Sequence, residues 1–131
     1  MHVADIPWFE YGNEMEYGQS PEVFTVQSDA VTAAVSKVAP KTKFLGLGLS
    51  QANYGTPSTN LSFFEHFLNA SNHAPGAPVA QAIDYHYYAT PTSRTDVFTY
   101  AGMFDSADAF VERVEQVERV RKKLSYVRAQ T

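Results

Sequence analysis

Apolar residues along the chain alternate between short continuous runs and longer periodic stretches. The first run, residues 6–12, is rich in aromatic side chains and predicts a strand. A Ser-Pro-Glu triplet follows at 20–22, and a serine cap with proline at the first helical position predicts a helix over 23–38. Pro40 is expected to stop this helix. The chain therefore begins with a strand followed by a helix.

A second strand and helix follow in the same order. Residues 43–49, KFLGLGL, form a continuous apolar run that is typical of a parallel strand covered on both faces. After a polar loop at 50–60, apolar residues in 61–68 recur at spacings of three and four, which predicts an amphipathic helix. An Ala-Pro-Gly turn at 74–76 is expected to close this unit.

The third unit completes a β-α-β-α-β-α order. Residues 82–88, AIDYHYY, predict a strand, and a long helix follows that Asp105 or Ser106 is expected to cap. Its apolar face is formed by Phe110, Val114, Val117, Leu124 and Val127. This order predicts an α/β fold in which a parallel sheet has helices outside it. Two architectures fit the pattern, a small doubly wound sheet or part of a barrel.

Composition narrows the classes of function. The 131 residues, 44% of them hydrophobic, predict one folded domain over 1–131. The net charge of -4 comes from scattered residues without a basic stripe, so nucleic acid is not an expected partner. No bilayer-spanning run or signal peptide is recognised, and the compartment stays undetermined. Because there is no cysteine and His66 and His73 match no metal motif, neither a metal nor a cofactor is expected.

Polar residues follow each predicted strand at its carboxyl end, where parallel α/β folds gather their reactive groups. The candidates are Asn13, Glu14, Gln51, Asn53, His86 and Tyr88. A carboxylate, amides, an imidazole and a phenol at one edge of a sheet can bind a polyhydroxylated ligand and transfer a proton. This combination indicates sugar chemistry.

Two of these motifs carry a resemblance to a known family. Residues 9–14, FEYGNE, resemble the end of strand four in retaining glycoside hydrolases of the large (β/α)8 clan, where Asn-Glu supplies the acid/base. Residues 44–50, FLGLGLS, are similar to strand five, and 84–89, DYHYYA, resemble the strand-six signature of families 39 and 79, the latter including heparanase-like enzymes. The resemblance implies a partial TIM (β/α)8 barrel of about three β-α units, from strand four to helix six.

The resemblance also implies a role for each site residue. Glu14 would protonate the departing glycosidic oxygen and later deprotonate water, which requires a raised pKa. Asn13 would donate to the sugar 2-hydroxyl, and Gln51 would line a sugar subsite. His86 and Tyr88 are two residues apart, so both would face the barrel interior. The structural alternatives are a solvated loop glutamate at Glu14 and a turn residue with left-handed backbone at Asn13.

Other residues of the same motifs are expected to be structural. Glu10 lies four residues before Glu14 on the same strand face, where a buried carboxylate needs a basic or hydrogen-bonding partner. Tyr85 and Tyr87 point to the opposite face of their strand and are expected to pack against helices. Trp8 is expected to pack in the core.

One part of the retaining machinery is not found in the chain. A second carboxylate has to lie about 5 to 5.5 Å from the first, and the resemblance places it at the end of strand seven, expected beyond Thr131. We therefore expect an inactive fragment of a parent glycosidase, with open barrel edges through which it can self-associate. One alternative is a noncatalytic carbohydrate-binding or assembly module. Another is a small doubly wound domain, although no glycine-rich phosphate loop follows its first strand.

Overall fold

A computed structural model describes residues 6–49, 57–87 and 100–124. The strands within these residues are β1 (Trp8–Glu10), β2 (Lys43–Leu49) and β3 (Ala82–Tyr85). The helices are α1 (Pro21–Val38), α2 (Pro57–Phe67) and α3 (Tyr100–Leu124), with short 3-10 helices at Met15–Tyr17 and Ala70–Asn72. The predicted order of strands and helices is confirmed. None of the described helices is long and apolar enough to cross a membrane.

The three strands form one parallel sheet in the order β1-β2-β3. Phe9 lies opposite Phe44 in the first pair of strands, and Gly46 lies opposite Ile83 in the second. The α/β class with a parallel sheet is therefore as the sequence predicts. Strand order follows chain order, so α1 and α2 each lie between two strands that are neighbours in the sheet, and α3 follows the last described strand.

The carboxyl end of β2 contains a bulge. Leu47 pairs with Asp84 and Leu49 with Tyr85, so one residue of β2 is left over between the two pairs. Leu47 has a φ of 99° and Gly48 a φ of 49°. Positive φ at leucine costs on the order of 1 to 3 kcal/mol, and it persists only where the surrounding structure holds it. Here both leucines are fully buried, which provides that support.

The predicted capping residue is correct for α1 and wrong for α3. Ser20 caps α1 as predicted, since its side chain accepts a hydrogen bond of 3.4 Å from the Val23 N–H. The prediction that Asp105 or Ser106 caps α3 is wrong, because α3 already begins at Tyr100. The residues before Asp105 continue the helix, and Asp105 is exposed, so it can be accommodated inside the helix.

One face of the sheet is covered by all three helices. Their shared core consists of Phe24 of α1, Phe63, Phe64 and Phe67 of α2, Val117 of α3 and the sheet residues Leu47, Leu49 and Ile83. Tyr85 packs edge-on against Phe64 with ring centroids 5.6 Å apart, and Tyr87 lies 4.9 Å from Phe110. The prediction that these two tyrosines pack against helices is confirmed.

The opposite face of the sheet carries polar and exposed residues. Trp8 keeps 43% of its surface exposed, so the prediction that it packs in the core is wrong. Its neighbour in the register is Lys43, whose ammonium group lies 5.1 Å from the indole centre. Because side chains alternate along a strand, Glu10 lies on this face with Trp8, while Phe9 packs against Phe44 on the helical face.

A buried ion pair fastens α1 to the segment that follows α2. His73 Nδ1 lies 2.7 Å from Asp29 Oδ1, and its Nε2 lies 2.6 Å from the carbonyl oxygen of Phe67. The second carboxylate oxygen of Asp29 accepts from the Ala74 N–H at 2.7 Å. Both ring nitrogens face acceptors, so the imidazole carries both protons and its charge is balanced by Asp29. The two side chains are only 4% and 7% exposed.

Candidate active site

The ends of β1 and β3 are brought together by main-chain hydrogen bonds to the end of β2. The Glu14 N–H donates to the carbonyl oxygen of Gly48 at 2.7 Å, and the His86 N–H donates to that of Leu49 at 2.8 Å. The segments that follow β1 and β3 are therefore both attached to consecutive residues of β2. As a result, Glu14 and His86 meet at the carboxyl edge of the sheet.

Glu14 and His86 form a direct side-chain contact. His86 Nδ1 lies 2.8 Å from Glu14 Oε1, although the residues are 72 positions apart in the sequence. The two side chains are 29% and 27% exposed, so the pair is partly desolvated and still accessible from solvent. At this distance the two groups form a hydrogen bond, and the tautomer of the imidazole decides which of them donates. Such a pair can release a proton to a ligand and take one back.

The backbone of Glu14 has an uncommon conformation. Its φ of 53° and ψ of 41° place it in the left-handed region, immediately before the 3-10 helix Met15–Tyr17. We considered Asn13 as a turn residue with this conformation, and that interpretation is wrong, because the left-handed residue is Glu14. The penalty for a non-glycine residue is about 1 to 2 kcal/mol. The hydrogen bond from the Glu14 N–H to Gly48 helps to offset it.

Glu10 finds its partner in a second carboxyl group, that of Asp84. Burial raises the pKa of Glu10 from 4.5 to about 7, and the hydrogen bond to Asp84 and the negative charge of Asp84 add to this effect. The positive charge of His86 opposes the rise. Burial therefore favours the protonated form of Glu10. The carboxyl group of Asp84 takes the place of the expected hydrogen-bonding partner, although Glu10 Oε1 is buried without an N–H or O–H donor among the described residues.

Gly48 lies between the Glu14–His86 pair and the Glu10–Asp84 pair. Its N–H donates to Asp84 Oδ1 at 3.3 Å, while its carbonyl oxygen accepts from the Glu14 N–H. A Cβ atom built at this glycine would overlap Glu10 Oε1 and would lie 3.3 Å from the Gly12 carbonyl oxygen. With a φ of 49° as well, the position requires glycine.

The structure describes three of the six candidate site residues. Glu14 and His86 are in contact, and Asn13 is exposed. Gln51 and Tyr88 lie outside the described residues, as does Asn53.

Sequence reasoning did not predict a role for Asp84 at the site. A usable signal was present, because Asp84 lies two residues before His86 and so shares its strand face.

The described residues contain no group of three or more His, Asp or Glu side chains arranged to hold a metal ion. Among known proteins, no family model, no curated protein and no solved structure matches the chain. The function of the site therefore has to be inferred from its own chemistry. That chemistry is a hydrogen bond between the carboxyl group of Glu14 and the imidazole of His86, next to the carboxyl groups of Glu10 and Asp84.

Proposed function

We propose that the chain is part of a retaining glycoside hydrolase that cleaves O-glycosidic bonds, with Glu14 as the general acid/base. The observation that carries this proposal is the 2.8 Å contact between Glu14 and His86 at the carboxyl edge of a parallel sheet. Carboxyl edges are where parallel α/β enzymes place their reactive groups. The resemblance of residues 9–14 and 84–89 to strands four and six of such hydrolases supports the same assignment.

The arrangement of strands and helices favours a partial (β/α)8 barrel over a doubly wound sheet. A doubly wound sheet reverses its strand order and carries helices on both faces. The described strands keep chain order, and all three described helices contribute to one core on one face. In a barrel the other face is the interior, and here that face carries Glu10, Asp84 and His86. We therefore propose that β1, β2 and β3 correspond to barrel strands four, five and six.

The proposed mechanism assigns proton transfer to Glu14. As the bond between the anomeric carbon and the leaving oxygen breaks, the Glu14 carboxyl group donates its proton to that oxygen. In the second step the resulting carboxylate takes a proton from the attacking water. His86 holds the carboxyl group in position and exchanges a proton with it through their shared hydrogen bond.

The covalent step requires a separate nucleophile. In the resembled families this carboxylate ends strand seven, which would follow α3 in the barrel. Turnover therefore requires this nucleophile as well as Glu14. The other side chains proposed to contact the sugar are Asn13, Gln51 and Tyr88.

The proposal is tested with the longest natural reading frame that contains this chain, assayed on a panel of aryl glycosides. Glu14→Ala should lower kcat by at least about a hundredfold for poor leaving groups and less for good ones. Azide should restore turnover by forming a glycosyl azide with retained configuration. The matched control, Glu65→Ala, changes an exposed glutamate of α2 and should keep full activity. Undiminished activity of Glu14→Ala would contradict the proposal.

One observation favours the noncatalytic alternative, a carbohydrate-binding or assembly module. At this edge of the sheet, Glu14 is bonded to His86 and Glu10 to Asp84, so the described residues present no carboxylate that is identified as a nucleophile. Glycoside binding by the natural full-length protein, without turnover of any substrate in the panel, would favour this module over the hydrolase.

A further inference from the structure

A chain of contacts leads from the buried part of the sheet to the Glu14–His86 pair. Glu10 is hydrogen-bonded to Asp84, and Asp84 accepts from the Gly48 N–H at 3.3 Å. On its other side, the Gly48 carbonyl oxygen accepts from the Glu14 N–H at 2.7 Å. The peptide groups of Gly48 thus link Asp84 to the backbone of Glu14.

The hydrogen bond between Glu10 and Asp84 requires a proton on one of them, because two carboxylates have no donor. Glu10 Oε1 is buried and receives no hydrogen bond from an N–H or O–H group of the described residues. A buried oxygen without a partner is far less costly on a neutral acid than on a carboxylate. Asp84, by contrast, accepts from the Gly48 N–H, which favours its ionised form. The proton therefore belongs on Glu10.

We propose that Glu10 and Asp84 share one proton and act as a positioning pair, which holds the Gly48 peptide and thereby keeps Glu14 against His86. The inference rests on the proposed function for the role of Glu14 and adds two residues that control its placement. Neither Glu10 nor Asp84 needs to touch the substrate. When Glu10 loses its proton, two carboxylates face each other, Asp84 moves away and its hold on Gly48 weakens.

Two other titratable side chains lie near the Glu10–Asp84 pair. His86 follows β3, and Glu14 follows β1. On β2 the facing residue is Gly48, which has no charge. Since the pKa of Glu10 is raised to about 7, the pair changes its charge near neutral pH, where a general acid/base has to operate.

The test follows the backbone amides of Gly48 and Glu14 and the ring of His86 by NMR in the full chain, from about pH 5 to about pH 9. In the wild-type protein, the Gly48 amide should show a step close to neutral pH. Glu10→Gln keeps a donor toward Asp84 but cannot titrate, so this Gly48 step should disappear, while the His86 ring serves as an internal reference that can still change its own protonation. Glu65→Gln makes the same chemical change at an exposed site and should leave the step unchanged.

Asp84 variants test the positioning role separately. Asp84→Ala removes the acceptor of the Gly48 N–H, and exchange of the Gly48 and Glu14 amides with solvent should become about tenfold faster. Asp84→Asn retains an acceptor for Gly48 and a donor toward Glu10, so it should restore slow exchange. If Asp84→Ala does not fold, the proposal is still tested by the pH step in Glu10→Gln and by the amide exchange rates in Asp84→Asn, each compared with the wild-type protein.

The proposal is overturned if the neutral step of the Gly48 amide persists in Glu10→Gln, or if the Gly48 and Glu14 amides exchange clearly faster in Asp84→Asn than in the wild-type protein. None of these measurements uses a glycoside. They therefore test the Glu10–Asp84 pair even if the chain has no part in glycoside hydrolysis. A negative glycosidase assay does not change their result.

Discussion

Removing the carboxylate of Asp29 should destabilise the fold more than any change at the surface. Asp29 balances the charge of His73 and accepts from the Ala74 N–H, and its side chain is buried. In Asp29→Ala the charged imidazole and the amide lose their acceptors inside the protein. Breaking a buried pair in this way costs about 3 to 5 kcal/mol, whereas loss of an exposed charge costs well below about 1 kcal/mol.

Urea unfolding followed by circular dichroism measures this difference. With a slope of roughly 2 kcal/mol per molar urea, the midpoint of Asp29→Ala should fall by about 1.5 to 2.5 M. Asp105→Ala removes an exposed aspartate of α3 and serves as the matched control, with a shift below about 0.3 M. A double-mutant cycle with His73→Leu should give a coupling of at least about 2 kcal/mol. A loss below about 1 kcal/mol for Asp29→Ala would refute the assignment of a buried ion pair.

Three further predictions concern the sheet and its core. Gly48→Ala introduces an overlap with Glu10 and a strained φ, and should lower the free energy of unfolding in urea by about 2 to 4 kcal/mol. Gly18→Ala is the control, since a Cβ atom there meets open space, and should lower it by less than about 1 kcal/mol. The pKa of Glu10 rises from 4.5 to about 7 on folding, so between these values the folded state holds more protons than the unfolded state. This stabilisation is fully present below pH 4.5 and is lost as the pH rises through about 7. After allowance for solvent screening it amounts to about 1 to 2 kcal/mol. In Glu10→Gln, the unfolding free energy should therefore change less with pH between 4.5 and about 7. Phe64→Ala removes a side chain that is 2% exposed and should lower the unfolding free energy by about 3 to 5 kcal/mol, and a loss under about 1 kcal/mol would contradict its place in the core.

The elements that were predictable from the sequence are those with strong local signals. Residues 43–49 are continuous and apolar, and the bounds of β2 agree with them. The start of α1 follows from the cap at Ser20 and the proline after it. The starts of α2 and α3 come earlier than expected, at Pro57 and Tyr100, because helix formation there continues through residues that also suit loops or caps.

Only part of the candidate site was predictable, from two rules. Reactive groups lie at the carboxyl ends of parallel strands, and side chains alternate between the two faces of a strand. These rules place Glu14 and His86 at one edge of the sheet, but they do not predict a contact between them. The pairing of Glu10 with Asp84 depends on how β2 separates and joins its two neighbours, including the bulge after Leu47. A register shift of one residue has no local signature in the sequence, so the pairing required the three-dimensional structure.

The bulge explains why two strained residues occur so close to the candidate site. Leu47 and Glu14 both have positive φ, and together they cost on the order of 2 to 5 kcal/mol relative to relaxed backbone. A regular β2 would avoid the strain at Leu47. It would also change the orientation of the Gly48 peptide, whose N–H is bonded to Asp84 and whose carbonyl oxygen is bonded to Glu14. The strain at Leu47 is therefore retained together with the backbone geometry that brings Glu14 to His86.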